Sequence, residues 1–461
     1  MIQFNSANKP SGIIFTPEQE AVLQSTAPTI LVNSAPGSGK SQLLREIAIR
    51  NPTSKILLLA YNKAIVEDIR RKVPSNCDVA TFHAFGLRVI RENGNNHSVN
   101  FNKYKTIDRT QGVAELVQKH MILSAGNTLE QWRKTCATFQ LSRSLIKQAQ
   151  KVYTAGFKNP LISGEDMLSL PIRKGYSFPS YDIVLIDECM DMGMDKLLFC
   201  SQIASDRTIL VGDKNQKLNQ FSGSSPTIDQ DILDAYPGIQ SYEINETFRC
   251  PEAVITEAQE YVPSLSGSKP GGTISYTQPD RFPKDSLVIC RSNAPLLKIA
   301  TRCIATGEPF KIRPQVLEGM EYAIQGLYKR AGSLKKMKHE CLLEQEQEIA
   351  RYKRKEWNPK IPEYKYDAIL EILNSGSNLS EVSTLVSTLK NRCNLTTSGA
   401  TTLSTVHSSK GLESENVFIV NLDIGDSIAS NSKLPWAKES EENCKYVAIT
   451  RSLSNLTYLR V

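Results

Sequence analysis

A phosphate-binding loop is indicated by eight residues after an apolar run at residues 29–32: Ser34, Ala35, Pro36, Gly37, Ser38, Gly39, Lys40 and Ser41. A strand that turns at glycines into a helix aims several backbone N–H groups and the positive helix N-terminus at one point, where a polyphosphate binds. Lys40 would reach the β- and γ-phosphates, and the Ser41 hydroxyl would bind Mg²⁺. The alternative is a chance Gly/Ser-rich turn, which the Gly-Lys-Ser order after a strand disfavours. We therefore expect the chain to bind a nucleoside triphosphate.

Two acids and two arginines could complete the chemistry of phosphoryl transfer. Asp187 and Glu188 follow the apolar run at residues 182–186. Acids at the carboxyl tip of a strand suit Mg²⁺ binding by Asp187 and polarisation of the attacking water by Glu188, although acids at a strand end can also be structural. Hydrolysis also needs positive charge near the γ-phosphate, for which Arg249 and Arg451 are candidates. Each arginine taken alone is more often a surface residue.

Composition narrows the class of protein. A chain of 461 residues is too long for one core, so we expect two to four domains. The net charge of +7 is a weak indication of a polyanionic partner. The ten cysteines form no CxxC pair, which argues against a zinc site, an iron–sulfur cluster or a disulfide framework and favours a reducing compartment. No apolar stretch approaches the roughly 18–20 residues of a membrane span, so we expect no membrane association.

Short β-rich apolar runs separated by helical patterns predict an α/β fold with buried parallel strands. The runs fall into two groups, which suggests two α/β units: residues 55–60, 182–186, 208–212, 286–289 and 416–422. Residues 88–178 and 315–400 lack strand patterns and are expected to be helical insertions. We expect the first domain to contain residues 1–87 and 179–250, and the second to contain 251–314 and 401–461. Residues 264–272 are interpreted as a linker-like turn region.

The second insertion contains the densest charge in the chain, over residues 329–356. A solvated helix face of alternating charge is the favoured interpretation. A surface that contacts the backbone of duplex DNA is the alternative.

Ten segments resemble, in order, the motifs of the UvrD/Rep-type DNA helicases of superfamily 1. Five lie in the first half of the chain: TPEQ (16–19), SAPGSGKS (34–41), LLLAYNKA (57–64), TFHAFG (81–86) and VLIDECMD (184–191). Five follow: VGDKNQKLNQFSG (211–223), INETFRCP (244–251), VICRSNA (288–294), STVHSSKGLE (404–413) and KYVAITRS (445–452). The resemblance therefore runs from residue 16 to residue 452.

The resemblance implies how ATP and Mg²⁺ would be held. Gln216 would sense the γ-phosphate, and the two arginines would act as arginine fingers. The residues with implied catalytic roles are Lys40, Asp187, Glu188, Gln216, Arg249 and Arg451. Ser41 and Asp187 would ligate Mg²⁺. The adenosine would be contacted by Gln19 at the adenine edge, Phe248 stacked on the base, Gln42 where an arginine is common, and Glu413 at the ribose.

The resemblance also implies residues that bind single-stranded DNA. Aromatic faces stack on any base, so they grip a strand without reading its sequence. Phe221 stands where a stacking tryptophan is usual, and a core aromatic is the alternative. The other candidates are Tyr61, Asn62, Thr81, His83, Arg291 and His407, of which both histidines could instead be structural.

Taken together, the resemblance implies two RecA-like motor domains with ATP in the cleft between them. The implied function is an ATP-dependent helicase that moves on single-stranded DNA, and Lys410 before Gly411 resembles the branch that moves 3′ to 5′. Expected partners are single-stranded DNA, single-strand/duplex junctions and replication or repair proteins. We expect a monomer in the cytoplasm of a prokaryotic cell or of the host of a virus.

Two other functions remain open. A phosphotransferase could use the same loop but would need an acceptor pocket, which nothing in the second half resembles. An ATPase that regulates recombination with little unwinding is favoured by Met190 and Gln220, which replace polar or basic residues of the family motifs.

Overall fold

The computed structural model describes residues 14–61, 63–124, 126–203, 205–218, 224–225, 227–317, 319–393, 398–432 and 436–460. The chain forms two compact units, Met1–Asn245 and Glu246–Val461. The division falls inside the INETFRCP segment, so Phe248 and Arg249 belong to the second unit. The sequence had placed residues up to 250 in the first domain.

The first unit is built on a parallel sheet with helices on both faces. Its strands are β1 Thr29–Ser34, β2 Ile56–Ala60, β3 Cys77–Thr81, β4 Ser98–Val99, β5 Leu161–Ile162, β6 Tyr181–Ile186, β7 Ser205–Gly212 and β8 Gln240–Ile244. Its helices are α1 Pro17–Gln24, α2 Lys40–Arg50, α3 Lys63–Arg70, α4 Phe82–Glu92, α5 Lys103–Ile107, α6 Val113–Leu123, α7 Leu129–Thr138, α8 Ile146–Gly156, α9 Gly164–Lys174, α10 Met194–Cys200 and α11 Ile228–Ala235.

Six of these strands form one sheet in the order β3-β2-β6-β7-β1-β8, and every pairing is parallel. All five residues of β2 are buried, as expected for an inner strand covered by helices on both faces. Leu58 contributes to the apolar core on one face and Leu57 to the core on the other. The alternation places one hydrophobic layer on each side of the sheet.

The first helical insertion contains one pair of strands that the sequence did not predict. Strands β4 and β5 pair in parallel through Ser98 with Leu161 and Val99 with Ile162. Each strand has only two residues, too few to produce a readable apolar alternation. A buried ion pair between Lys103 and Asp166, with Nζ and Oδ2 2.7 Å apart, ties α5 to the start of α9 beside this pair.

The second unit repeats the architecture. Its strands are β9 Thr273–Ser275, β10 Leu287–Cys290, β11 Phe310–Ile312, β12 Thr401–Thr405, β13 Ser414–Val420 and β14 Ser452–Leu459. Its helices are α12 Glu252–Ala258, α13 Asn293–Thr306, α14 Pro314–Leu317, α15 Met320–Ala331, α16 Leu334–Arg354, α17 Lys360–Asn374, α18 Leu379–Cys393, α19 Ile424–Ser430 and α20 Ala437–Ile449.

The second sheet has the order β11-β12-β10-β13-β14-β9, again with parallel pairings throughout. Helices α14 to α18 lie between β11 and β12, and one hydrophobic core extends from β10 into these helices. The two sheets confirm the expected α/β fold of two RecA-like domains, each with a mainly helical insertion.

Charged side chains on α15 and α16 pair with one another along the helix surfaces. Arg330 contacts Glu340 and Glu344, and Arg351 lies 3.0 Å from Glu348. Surface ion pairs of this kind contribute little to stability.

Candidate functional site

Three neighbouring strands carry the candidate nucleotide residues of the first unit to the same edge of its sheet. Strands β6, β7 and β1 are adjacent and parallel, so their carboxyl ends lie side by side. The acid pair follows β6, the turn of residues 213–216 follows β7, and the phosphate loop follows β1. Ligands of open α/β sheets bind at this edge. The topology therefore brings together motifs that lie far apart in the sequence.

The phosphate loop is closed by its own hydrogen bonds. Gly37 and Gly39 have φ angles of 72° and 81°, a left-handed conformation in which glycine is unstrained. The Ser38 hydroxyl donates to the Ala35 carbonyl at 2.7 Å. Lys40 folds back over the loop, and its Nζ donates to the Ser34 carbonyl at 3.0 Å and the Ala35 carbonyl at 3.3 Å. The ammonium group is thus held inside the loop that precedes it.

Two glutamine amides flank the loop where contacts with a nucleobase were expected. Gln19 accepts from the Thr16 backbone N–H at 2.9 Å and donates through Nε2 to the Ser38 carbonyl at 2.8 Å, so it connects the start of α1 to the loop. Gln42 accepts from Arg45 at 3.4 Å through Oε1. Its Nε2 is buried and has no hydrogen-bond partner among the described residues. An orphaned buried amide donor fits an acceptor atom on a bound base.

The acid pair lies on a strained turn at the end of β6. The Asp187 backbone N–H donates to the Leu59 carbonyl at 2.9 Å, which extends the ladder to β2. Asp187 is buried, and Glu188 has a φ angle of 53°, uncommon for a residue other than glycine. A Cβ atom at Gly212 would lie 2.9 Å from Cys189 Sγ, so the end of β7 fits against this turn only with glycine.

The turn after β7 contains a site residue that the sequence did not single out. Asp213 is buried and accepts from the Asn215 backbone N–H at 2.9 Å and from Gln216 Nε2 at 2.7 Å. Burial raises the pKa of Asp213, and the charge of Lys40 and the Gln216 hydrogen bond oppose this shift. Asp213 therefore connects the candidate γ-phosphate sensor electrostatically to the lysine of the phosphate loop. An acid directly after the Val-Gly end of a strand is a signal that could have indicated it.

Asn33, immediately before the phosphate loop, connects β1 to this turn. Its side chain accepts from the Lys214 backbone N–H at 2.9 Å and donates to Glu243 at 2.5 Å. Lys214 Nζ donates to the same carboxylate at 3.2 Å. The loop itself is joined to the end of β8, since the Ala35 N–H donates to the Ile244 carbonyl at 2.9 Å. Two separate contacts therefore tie β8 to the phosphate-binding edge.

These residues fit a nucleotide with Mg²⁺. No group of three or more His, Cys, Asp or Glu side chains that could hold a metal occurs among the described residues. Mg²⁺ is usually held by one or two protein oxygens together with phosphate oxygens and water. The Ser41 hydroxyl at the start of α2 and the Asp187 carboxylate are protein oxygens of the required kind.

In the second unit, the candidate nucleotide residues lie at the amino edge of the sheet. Glu413 precedes β13 and Arg451 precedes β14, and Ser414 pairs with Ser452 in the register of these two strands. Arg451 is almost fully buried, and its Nε donates to the Val447 carbonyl at 2.9 Å.

Arg249 joins this group from outside the sheet. Its Nε lies 2.8 Å from a Glu413 carboxylate oxygen, and its Nη1 donates to the Thr450 carbonyl at 3.3 Å. Phe248, beside it, is half exposed. Lys269 donates to the Arg249 carbonyl at 3.2 Å, so the turn region of residues 264–272 contacts this group through Lys269.

The candidate strand-binding residues of the second unit lie at the opposite, carboxyl edge. Arg291 follows β10 and His407 follows β12, which are neighbouring strands. The Arg291 guanidinium makes a double contact with the buried Glu441, with Nε at 2.8 Å and Nη2 at 2.8 Å from its oxygens. A contact of Arg291 with DNA would therefore require an exchange of partner.

The candidate strand-binding residues of the first unit differ in their surroundings. Thr81 caps α4, since its hydroxyl accepts from the Ala84 N–H at 3.2 Å. Lys196 lies with Nζ 5.5 Å from the centre of the Tyr61 ring. Partial desolvation and the charge of Lys196 lower the pKa of His83 to about 4, although its side chain is exposed, so the imidazole is neutral at pH 7.

An exposed aromatic residue that the sequence did not indicate lies close to His83. The Phe101 side chain is 69% exposed, and the rings of Phe101 and His83 both approach Gly164 at the start of α9. An isolated phenylalanine in an insertion gives no sequence signal, because its neighbour is distant in the chain. Asn62 and Phe221, which were predicted to contact DNA, lie outside the described residues.

Two family models match the chain. Residues 18–222 match the AAA domain, and residues 335–459 match the UvrD-like helicase C-terminal domain. Among the described residues, no helix has both the length and the apolar character needed to cross a membrane.

Two curated proteins are distantly similar. F-box DNA helicase protein 1 of Schizosaccharomyces pombe is 24% identical over 305 residues, which are 56% of this chain and 34% of that protein. ATP-dependent DNA helicase PcrA of Bacillus subtilis is 20% identical over 297 residues, which are 55% of this chain and 40% of that protein. The similarity therefore spans well under half of either relative.

Proposed function

We propose that the chain is an ATP-driven motor on single-stranded DNA. It belongs to the UvrD-like helicases of superfamily 1, as its motifs predicted and as the two family models and the two curated helicases together confirm. The observation that supports this proposal most strongly is the arrangement of β6, β7 and β1. These neighbouring strands carry the acid pair, the Gln216 turn and the phosphate loop to one edge of a sheet.

In the proposed reaction, the first unit holds ATP and directs the attack of water. The backbone of the phosphate loop and Lys40 would bind the phosphates, and Ser41 and Asp187 would hold Mg²⁺, which would supply positive charge against the phosphates. Glu188 accepts the proton of the attacking water. Gln216, held by Asp213, contacts the γ-phosphate and changes its hydrogen bonds when that group leaves.

The second unit supplies positive charge to the transferring phosphoryl group. Arg249 and Arg451 would contact the γ-phosphate only while ATP is bound, so hydrolysis and release of phosphate would end this contact. This dependence on the γ-phosphate converts the chemical cycle into a mechanical one.

Two sets of side chains bind the single-stranded DNA, and their affinity for it changes during the cycle of ATP binding and hydrolysis. Tyr61, His83 and Phe101 offer rings to the bases in the first unit, and His407 and Arg291 contact the strand in the second. If the two units bind the strand tightly in alternation as ATP is bound and hydrolysed, the chain moves along the strand in one direction. The resemblance of the Lys410 segment to one branch of the family favours movement from 3′ to 5′.

An ATPase assay with and without single-stranded DNA tests this function. We expect single-stranded DNA to stimulate turnover severalfold, because strand binding favours the hydrolysis-competent state. Lys40→Ala should remove both the basal and the stimulated activity. Basal turnover that DNA does not change would contradict a DNA motor, and phosphate transfer to another acceptor would favour the phosphotransferase.

A second candidate function is an ATPase that regulates recombination and unwinds little. It is favoured by Met190, which stands where the family motif has a glutamine. Met190 is buried, and its Cγ lies against Gly212 at the end of β7. An apolar thioether at this point cannot form the polar connection between nucleotide and strand that a glutamine would provide.

A further inference from the structure

The ion pair between Arg249 and Glu413 connects two residues to which the family resemblance assigns separate tasks. Nε of Arg249 lies 2.8 Å from Oε2 of Glu413, and both residues belong to the second unit. The Nε–H does not point directly at the carboxylate, so the contact is an ion pair and not an aligned hydrogen bond. The resemblance assigns Glu413 to the ribose and Arg249 to the γ-phosphate.

A second contact fixes the same guanidinium from the other side. Arg249 Nη1 donates to the Thr450 carbonyl at 3.3 Å, directly before Arg451 in the chain. The Arg249 backbone is also held, because its N–H donates to the Thr247 hydroxyl at 3.2 Å and its carbonyl accepts from Lys269. Nη2 of Arg249 has no hydrogen bond among the described residues. The guanidinium is therefore anchored through Nε and Nη1, with Nη2 left for another acceptor.

We infer that Glu413 is a positioning residue, which holds the Arg249 guanidinium in the orientation needed to meet the γ-phosphate. This inference rests on the proposed function, in which Arg249 is an arginine finger. It differs from the ribose contact because the carboxylate acts through another protein side chain. The expected consequence is a change in kcat that does not depend on the sugar of the nucleotide.

The solvent exposure of Arg249 and Glu413 indicates that their ion pair orients the guanidinium and does not mainly stabilise the fold. Arg249 is 18% exposed and Glu413 48% exposed in their side chains. Ion pairs of such partly exposed groups contribute little to folding. An arginine loses much rotamer freedom when it is fixed, and prior orientation of a catalytic group lowers the barrier of the step it assists.

Glu413→Gln separates the two roles. The amide can still hydrogen-bond to a ribose hydroxyl but carries no charge to hold Arg249. We expect kcat for ATP hydrolysis to fall by about 10–100-fold, as for a misplaced catalytic group, with KM nearly unchanged. The same loss is expected with 3′-deoxy-ATP, which lacks a hydroxyl that the ribose contact would use. Glu415→Gln, an exposed acid two positions on, serves as the matched control and should behave as wild type.

A double-mutant cycle with Arg249→Ala completes the test. In single-turnover measurements, Glu413→Gln should cause no further loss once Arg249 is absent, since its effect acts through that residue. Any of four results would overturn the inference. Glu413→Gln could raise KM alone, lose activity with ATP but not with 3′-deoxy-ATP, or turn over faster than wild type. The losses of the two single variants could also be additive in the double variant. Circular dichroism confirms that each variant folds. A wild-type chain without ATPase activity would instead refute the proposed function and this inference with it.

Discussion

Replacing Glu188 with Gln is expected to lower the ATP turnover number by about 10²–10⁴-fold, the usual contribution of a general base. The amide has almost the same shape as the carboxylate but cannot accept a proton. The residue lies at the carboxyl end of β6 on a turn with a φ angle of 53°, beside the buried Asp187. The change would therefore remove the proposed base and leave the proposed metal ligand Asp187 and the phosphate loop in place.

The measurement is steady-state release of phosphate, together with binding of a fluorescent ATP analogue. Binding should persist in Glu188→Gln, because in the proposed reaction the phosphate loop and Lys40 hold the phosphates. Asp206→Asn is the control, since Asp206 is an exposed acid near the opposite end of the neighbouring strand β7. Normal turnover in Glu188→Gln would contradict the assignment of the base, and so would equal loss in Asp206→Asn.

Replacing Arg249 with Ala is expected to lower kcat by about 10³–10⁵-fold, the range for a lost arginine finger. The guanidinium is held by Glu413 and by the Thr450 carbonyl, and the alanine variant loses both the charge and this preset orientation. Since the phosphate loop is proposed to supply most of the binding of the ground-state nucleotide, KM should change far less than kcat.

Single-turnover hydrolysis at saturating ATP measures this effect directly. Arg281→Ala, which removes an exposed arginine of the same unit, is the matched control and should retain wild-type turnover. A variant Arg249→Ala with normal kcat and a raised KM would show that the residue only binds ATP. That result would exclude Arg249 from the chemical step.

The sequence predicted the parts of the fold whose signals are local. Buried strands such as β2 and β6 are continuous apolar runs, and the phosphate loop combines glycines of positive φ with the start of a helix. Strand β14 was not predicted, because the polar residues Ser454 and Asn455 interrupt its apolar pattern. The two-residue strands β4 and β5 were too short to leave any pattern.

The contacts that complete the site could not be predicted from the sequence. The bond between Asn33 and Glu243 depends on β1 and β8 being neighbours, and the approach of Phe101 to Gly164 depends on how the insertion packs. The Arg249–Glu413 pair likewise joins two motifs whose tasks the resemblance treats separately. Such contacts follow from tertiary packing, which motif order does not contain.

Strand displacement on duplexes with a single-stranded 3′ or 5′ tail tests most directly whether ATP hydrolysis by this chain drives movement along DNA. We expect displacement of the 3′-tailed duplex with ATP, none with a non-hydrolysable analogue, and little with the 5′-tailed duplex. Glu188→Gln should bind the tailed duplex without separating it. ATP hydrolysis stimulated by single-stranded DNA with no displacement of either duplex would contradict a helicase and favour the regulatory ATPase.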